Sequence, residues 1–122
     1  MYDCFRTLYE PSGLTVTTTE RPNGIRVLTL VGDIDAATVG TLEEALATGD
    51  RLVADLTRVA FLSCAGVRSL LAAHARAELT VVIGGHAVAR SLEATGADLL
   101  LTIHPAVGAA LVGMGPELGR EA

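Results

Sequence analysis

The sequence contains no lysine and no tryptophan, and its aromatic side chains are limited to two Phe and two Tyr. A core built without aromatic bulk must come from Val, Leu, Ile and Ala, which is where the 50% hydrophobic content lies. Nine arginines are scattered along the chain and nowhere clustered, and the net charge is −5. That leaves no basic footprint for phosphate backbones, which disfavours nonspecific nucleic-acid binding. Cysteine is also scarce. Cys4 and Cys64 stand sixty residues apart and fit neither a disulfide framework nor a metal-ligand spacing. No apolar run approaches the roughly 20 residues of a membrane span. The N-terminus lacks the basic start and apolar stretch of a secretory signal. These absences predict a cytoplasmic protein with no cofactor, no metal, no nucleic-acid partner and no direct membrane insertion.

What is present is a regular alternation of apolar segments. At 122 residues and 12.6 kDa the chain is long enough to bury one core. It is read as a single domain over 1–122, with a core at about 14–112, an N-terminal arm or loop over 1–13 and a C-terminal tail over 113–122. The β-branched run Leu14 to Thr19 and the run Ile25 to Val31 flank Arg21-Pro22-Asn23-Gly24, a hairpin turn signal. Gly32 to Ala37 reads as a loop, and Thr38 as the cap of a helix reaching about Ala47. The run Leu52 to Leu56 suits a buried strand. It leads through a turn and a second apolar step, Val59 to Leu62, into a helix from about Ala65 to Ala77. A strand over Leu79 to Ile83, a helix over His86 to Thr95 stopped by Gly96, a strand over Leu99 to Ile103 and a helix over Ala106 to Val112 follow. The predicted order is β-β-α-β-α-β-α-β-α: an α/β fold with an N-terminal hairpin and a mixed β-sheet on which helices pack. Right-handed crossovers put the helices that follow parallel strands on one face.

The chemistry concentrates in Leu62-Ser63-Cys64-Ala65-Gly66, small residues between a strand and a helix. Backbone N–H groups and the dipole at such a helix start favour negative charge. Ser63 can cap the helix, or it can accept a phosphate. Cys64 can be an activated thiol, but free cysteine is commonly buried and inert, and it is expected here as a small residue filling a tight turn. Asp33 and Asp35 alternate along an extended segment, so spacing alone does not bring them together as a metal or acid–base pair. They stand as loop residues bonded to their own backbone, or as part of a binding surface. Gly84-Gly85-His86 lacks the spacing of a nucleotide loop and there is no lysine to accompany it, so it reads as a tight turn. Arg68 and Arg76 are predicted on a free helix face. His74 falls on the apolar face of the same helix.

Three segments in order carry a resemblance to the STAS domain family of anti-sigma-factor antagonists. They are Gly32-Asp33-Ile34-Asp35, the run Asp55-Leu56-Thr57 to Gly66, and Val88-Ala89-Arg90 to Thr95-Gly96. The resemblance covers about residues 14–112. It implies a STAS-like sheet and a stand-alone module that binds an anti-sigma factor, often of the serine-kinase type, and so releases a sigma factor. It sets Cys64 at the position where phospho-regulated members carry the acceptor serine, with Ser63 as the substitute candidate. The implied partner surface comprises Asp33, Asp35, Ala36 and Thr38, with Ser63, Cys64, Ala65, Gly66, Arg68 and Ser69. Two other readings stay open: an accessory subunit regulating a membrane lipid or anion transporter, and a thiol-dependent redox sensor or enzyme. The apolar composition also permits a homodimer.

Overall fold

Gly24, at φ +87°, closes the first hairpin. Its N–H donates to Arg21 O, Arg21 N–H donates to Ile25 O, and the Asn23 side-chain oxygen accepts from Ile25 N. The hairpin signal in the sequence is therefore met by a conformation that glycine adopts freely. The computed structural model describes residues 5–9 and 13–115. The hairpin joins β2 (Leu14–Glu20) to β3 (Arg26–Ile34). It is followed by α1 (Val39–Leu46), β4 (Arg51–Leu62), α2 (Cys64–Arg76), β5 (Glu78–Val82), α3 (His86–Thr95), β6 (Thr102–His104) and α4 (Val107–Met114).

A strand precedes the hairpin. β1 (Phe5–Tyr9) pairs antiparallel with β2, so part of the segment predicted as an arm or loop extends the sheet. The sheet has six strands in the order β1-β2-β3-β4-β5-β6. The β1–β2 and β2–β3 pairs are antiparallel, and the three pairs from β3 to β6 are parallel. This is the predicted mixed sheet with one additional edge strand. The predicted strand over Leu99 to Ile103 is shorter and later: Ala97–Leu99 forms a 3-10 turn, and Thr102–His104 makes the ladder. Leu99 and Leu100 are accordingly 85% and 64% exposed. The tail predicted to fray begins in part as helix, since α4 runs to Met114; positions 116–122 lie outside the described residues.

Strand side chains alternate between faces, and here they sort cleanly. Leu28, Leu30, Leu52, Ala54, Leu56 and Val81 join a front core with Leu42 and Leu46 of α1, Val67 and Leu70 of α2, and Val88 and Leu92 of α3. Val27, Val53 and Val82 point to the back and meet Ala110 and Met114 of α4. Three helices thus cover the front and one covers part of the back. Each buried Leu or Val contributes about 1.5–3 kcal/mol relative to exposure.

β4 runs unbroken through the position predicted as a turn. It does so by bulging. Asp55 pairs with Thr29 but Arg58 with Val31, and Val59 pairs with Gly32 but Phe61 with Asp33. One extra residue enters β4 at each shift. The Asp55 carboxylate accepts from Thr57 N–H and from the Thr57 hydroxyl, which fixes the first bulge. The bulges let Leu56, Val59 and Leu62, three residues apart, all reach the front core. They also carry β4 well past the last β5 partner, to Leu62, where the small-residue segment begins.

Arg51 is a buried cation at the opposite end of the sheet. Its Nε donates to Glu78 Oε1 at 2.9 Å, one Nη to Asn23 O at 3.1 Å, and the other to Met114 O at 2.9 Å and Gly115 O at 3.2 Å. One guanidinium therefore ties together the hairpin turn, the start of β5 and the C-terminal carbonyls of α4. Cations suit that helix end electrostatically as well.

Candidate docking site

The parallel ends of β3 and β4 form the platform. Ser63 N–H donates to Ile34 O at 2.8 Å, so the ladder continues one residue beyond the last strand pair. Ser63 stays extended (φ −80°, ψ 169°) and its Oγ accepts from Gly66 N–H at 3.2 Å. Its carbonyl accepts the first helical bond, from Val67 N–H at 3.0 Å. Ser63 is thus the N-cap predicted from the sequence. Cys64 occupies the first helical position and is exposed, which corrects its assignment as a buried filler of a tight turn.

The tight fit belongs to Gly66 instead. A Cβ there would lie 2.7 Å from Ile34 Cγ2 and 2.6 Å from Leu62 Cδ1. Ile34 and Leu62 are themselves buried in the front core. Only glycine lets the start of α2 lie directly on the two strand ends. Gly66→Ala is expected to cost about 1–3 kcal/mol through overpacking, read as a lower Tm in calorimetry. A cost under 0.5 kcal/mol would show that the contact yields freely.

The neighbouring loop is locked from within. Asp35 Oδ1 accepts from Ala37 N–H at 2.9 Å and Thr38 N–H at 3.1 Å, and the Asp35 carbonyl accepts from Val39 N–H at 2.9 Å. The Thr38 hydroxyl accepts from Asp35 N–H at 2.9 Å and donates to Asp33 O at 2.8 Å. Thr38 sits at the N-cap position of α1, but its hydroxyl bonds backwards to β3 and not to a helical N–H. It is fully buried, so it braces the loop and presents no side chain to a partner. Ser69 is likewise buried; its hydroxyl donates to Glu43 Oε2 at 2.9 Å and joins α2 to α1. Arg76, predicted free, donates to Leu46 O at 3.3 Å at the end of α1. His74 is half-buried and faces an open cleft with Asp50, Arg51 and Glu78 at the far end of the sheet.

Ala36, Ala37, Cys64 and Arg68 are exposed, and Asp35, Ser63 and Ala65 partly so. The structure brings the two predicted segments together as one rim of small residues on a rigid frame. Asp33 departs from that rim. It is exposed on the back of the sheet, in register with Phe61 of β4. Phe61 was read from the sequence as part of an apolar step and is 50% exposed. Among the described residues no group of three or more His, Cys, Asp or Glu is placed to hold a metal. The site offers shape, backbone approach and a few charges.

This mixed sheet, with three helices on one face and a small-residue helix start at the β3–β4 end, defines a class, and comparison with known proteins agrees. Residues 17–110 match the STAS domain, and the chain belongs to that family. It is similar to the anti-sigma-F factor antagonist RsfB of Mycobacterium tuberculosis, with 33% identity over 110 residues that cover 80% of this chain and 89% of the relative. It is also similar to an anti-sigma factor antagonist from Mycobacterium paratuberculosis of known crystal structure. That match has 30% identity and a TM-score of 0.75, and covers 87% of this chain and 97% of the other. A STAS-domain antisigma-factor antagonist from Rhodobacter sphaeroides, 22% identical with a TM-score of 0.50, shares the fold over 60% of this chain and 89% of its own.

Proposed function

We propose that this protein is an anti-sigma-factor antagonist: it binds an anti-sigma factor, of the serine-kinase type, and so frees a sigma factor. The observation that carries the proposal is the joined rim of the Asp35–Ala37 loop and the Ser63–Arg68 helix start, in a chain one-third identical to RsfB. Small side chains on a braced frame permit close approach of a partner's backbone at little entropic cost. The activity is regulatory binding and not catalysis. The proposal places the protein in the cytoplasm, where a sigma-factor circuit operates. No helix among the described residues is long and apolar enough to cross a membrane.

Ala65→Glu and Arg68→Glu test the surface. Ala65 is partly exposed and Arg68 exposed, and a Glu near a helix N-terminus favours the helix. Both variants are therefore expected to fold with unchanged Tm. Binding to the cognate anti-sigma factor, identified by affinity capture from the source cell and mass spectrometry, is expected to weaken at least about tenfold, about 1.4 kcal/mol. Wild-type affinity in both variants would remove the site from this surface.

Control by phosphate takes an altered form here. Cys64 presents a thiol where phospho-regulated relatives present a hydroxyl, and the Ser63 hydroxyl is engaged as a cap. The wild-type protein is expected to take up little phosphate from a cognate kinase, and none on Cys64. Cys64→Ser places a hydroxyl at an exposed position and is expected to create an acceptor, read by phosphosite mapping. Stoichiometric phosphate on wild-type Cys64 would contradict this.

A further inference from the structure

We infer that the partner surface does not stop at the α2 start but continues over the end of the sheet onto its back face, with Phe61 as the anchoring side chain. The inference rests on the antagonist reading above and extends its surface.

The back of the sheet is only partly covered. Among the described residues, α4 packs against Val27, Val53 and Val82 and reaches no further along the back. Further along β3 and β4 the back-facing register positions are Val31 beside Arg58 and Asp33 beside Phe61. Alternation along β3 sets both Val31 and Asp33 on the side opposite Leu30 and Ile34, which are buried in the front core. Val31, Asp33, Arg58 and Phe61 are all exposed, Val31 at 38% and Phe61 at 50%. The bulge between Val59 and Phe61 turns the phenyl ring to this side, while Val59 and Leu62 remain in the core. The bulge thus holds an aromatic ring partly in water, in register with the Asp33 carboxylate.

The patch adjoins the rim along both strands. Phe61 is two residues from Ser63, and Asp33 is two residues from Asp35, whose carboxylate locks the exposed Ala36–Ala37 turn. A protein seated on the α2 start is therefore already at the edge of the patch. A second copy of this chain fits less well. Four side chains fall far short of the roughly 800 Å² per partner that a stable interface buries, whereas an anti-sigma factor already docked on the rim needs only to extend onto them. The complement expected on that partner is an apolar pocket for one ring, flanked by charges of both signs. A few side chains that a partner's pocket fully desolvates carry most of an interface's binding energy, and Phe61 is placed to be one of them.

The test uses the full-length protein and each anti-sigma factor encoded in the source genome, purified singly and titrated calorimetrically. Against the one that binds wild type, Phe61→Ala is expected to raise Kd at least about tenfold, Phe61→Leu no more than about threefold, and both are expected to keep the wild-type Tm. In parallel, carbodiimide labelling of Asp33 in the wild-type protein is expected to fall on complex formation; this readout stands even if Phe61→Ala does not fold. Wild-type affinity in Phe61→Ala, or unchanged Asp33 labelling, with binding still lost in Ala65→Glu, would overturn the extension and leave the rim in place. A Phe61→Asp variant that dissociates a homodimer but binds the anti-sigma factor normally would overturn it in favour of a second copy. If no anti-sigma factor binds wild type, the antagonist reading itself falls, and this inference with it.

Discussion

Gly32→Ala is expected to be the most damaging single-methyl change in the domain. Gly32 lies in β3 at φ +124°, a conformation L residues rarely adopt, and an added Cβ would sit 1.8 Å from Gly13 O. The obstacle is backbone, so no rotamer change relieves it. That same Gly13 carbonyl accepts from Asp33 N–H at 3.2 Å, which holds β2's start against the segment leading to the loop. Strain at φ and steric exclusion add, and a loss of about 4 kcal/mol or more follows, equivalent to roughly 15 °C or more in Tm. Gly40→Ala in α1 is the control. Nothing lies within 4 Å of its added methyl and its φ is ordinary, so it is expected to stabilise by about 0.5–1 kcal/mol. Calorimetry of the two variants side by side decides the matter. A Gly32→Ala protein melting within 3–4 °C of wild type, about 1 kcal/mol, would mean that β2 and β3 separate at little cost.

Arg51→Ala is expected to cost about 3 kcal/mol, in the range for breaking a buried charged network. The change leaves Met114 O, Gly115 O and Asn23 O without their donor and Glu78 without its ion pair. Glu78 is 34% exposed on its side chain and can turn to water, which keeps the figure below the upper end of that range. The loss should be localised. Hydrogen exchange is expected to accelerate first in α4 and around the β2–β3 turn, because Arg51 is what joins them. Arg51→Met keeps the apolar stem and is expected to lose nearly as much, which separates the hydrogen bonds from the packing. Wild-type exchange in α4 of Arg51→Ala would show that Ala110 and Met114 hold that helix unaided.

The hairpin, the three front helices and the mixed character of the sheet were legible because they rest on local signals. Asn23-Gly24, the alternation in Leu14 to Thr19 and the helical run from about Ala65 to Ala77 each point one way. The β4 bulges were not legible. Leu56, Val59 and Leu62 recur at a spacing of three, which fits neither strand nor helix, and a turn at Thr57 was the local solution. The pairing with β3 that converts that spacing into a strand is a tertiary fact. Leu99 to Leu101 misled in the other direction: three leucines suggest a buried strand, yet the ladder uses Thr102 to His104 beside β5. β1 carries no clean alternation, and its strand is set by a partner rather than by its own pattern.

The same division applies to the site. The Ser63 cap was readable from residue preference and position. The burial of Thr38 and Ser69 was not, since each depends on a specific neighbour, Asp33 O or Glu43. Cys64 was misplaced by the general tendency of cysteine to be buried; at the first helical position it is exposed. Phe61 was passed over for the mirror-image reason, as an aromatic in an apolar run. Its face is set by a bulge one residue earlier, and no sequence period reveals that.

The most direct test of the account is calorimetric titration of the cognate anti-sigma factor with the wild-type protein and with Ala65→Glu. A saturable complex with wild type, weakened at least about tenfold in a variant of unchanged Tm, is the predicted result. Equal binding by the two proteins, or no binding of any anti-sigma factor to wild type, would contradict it.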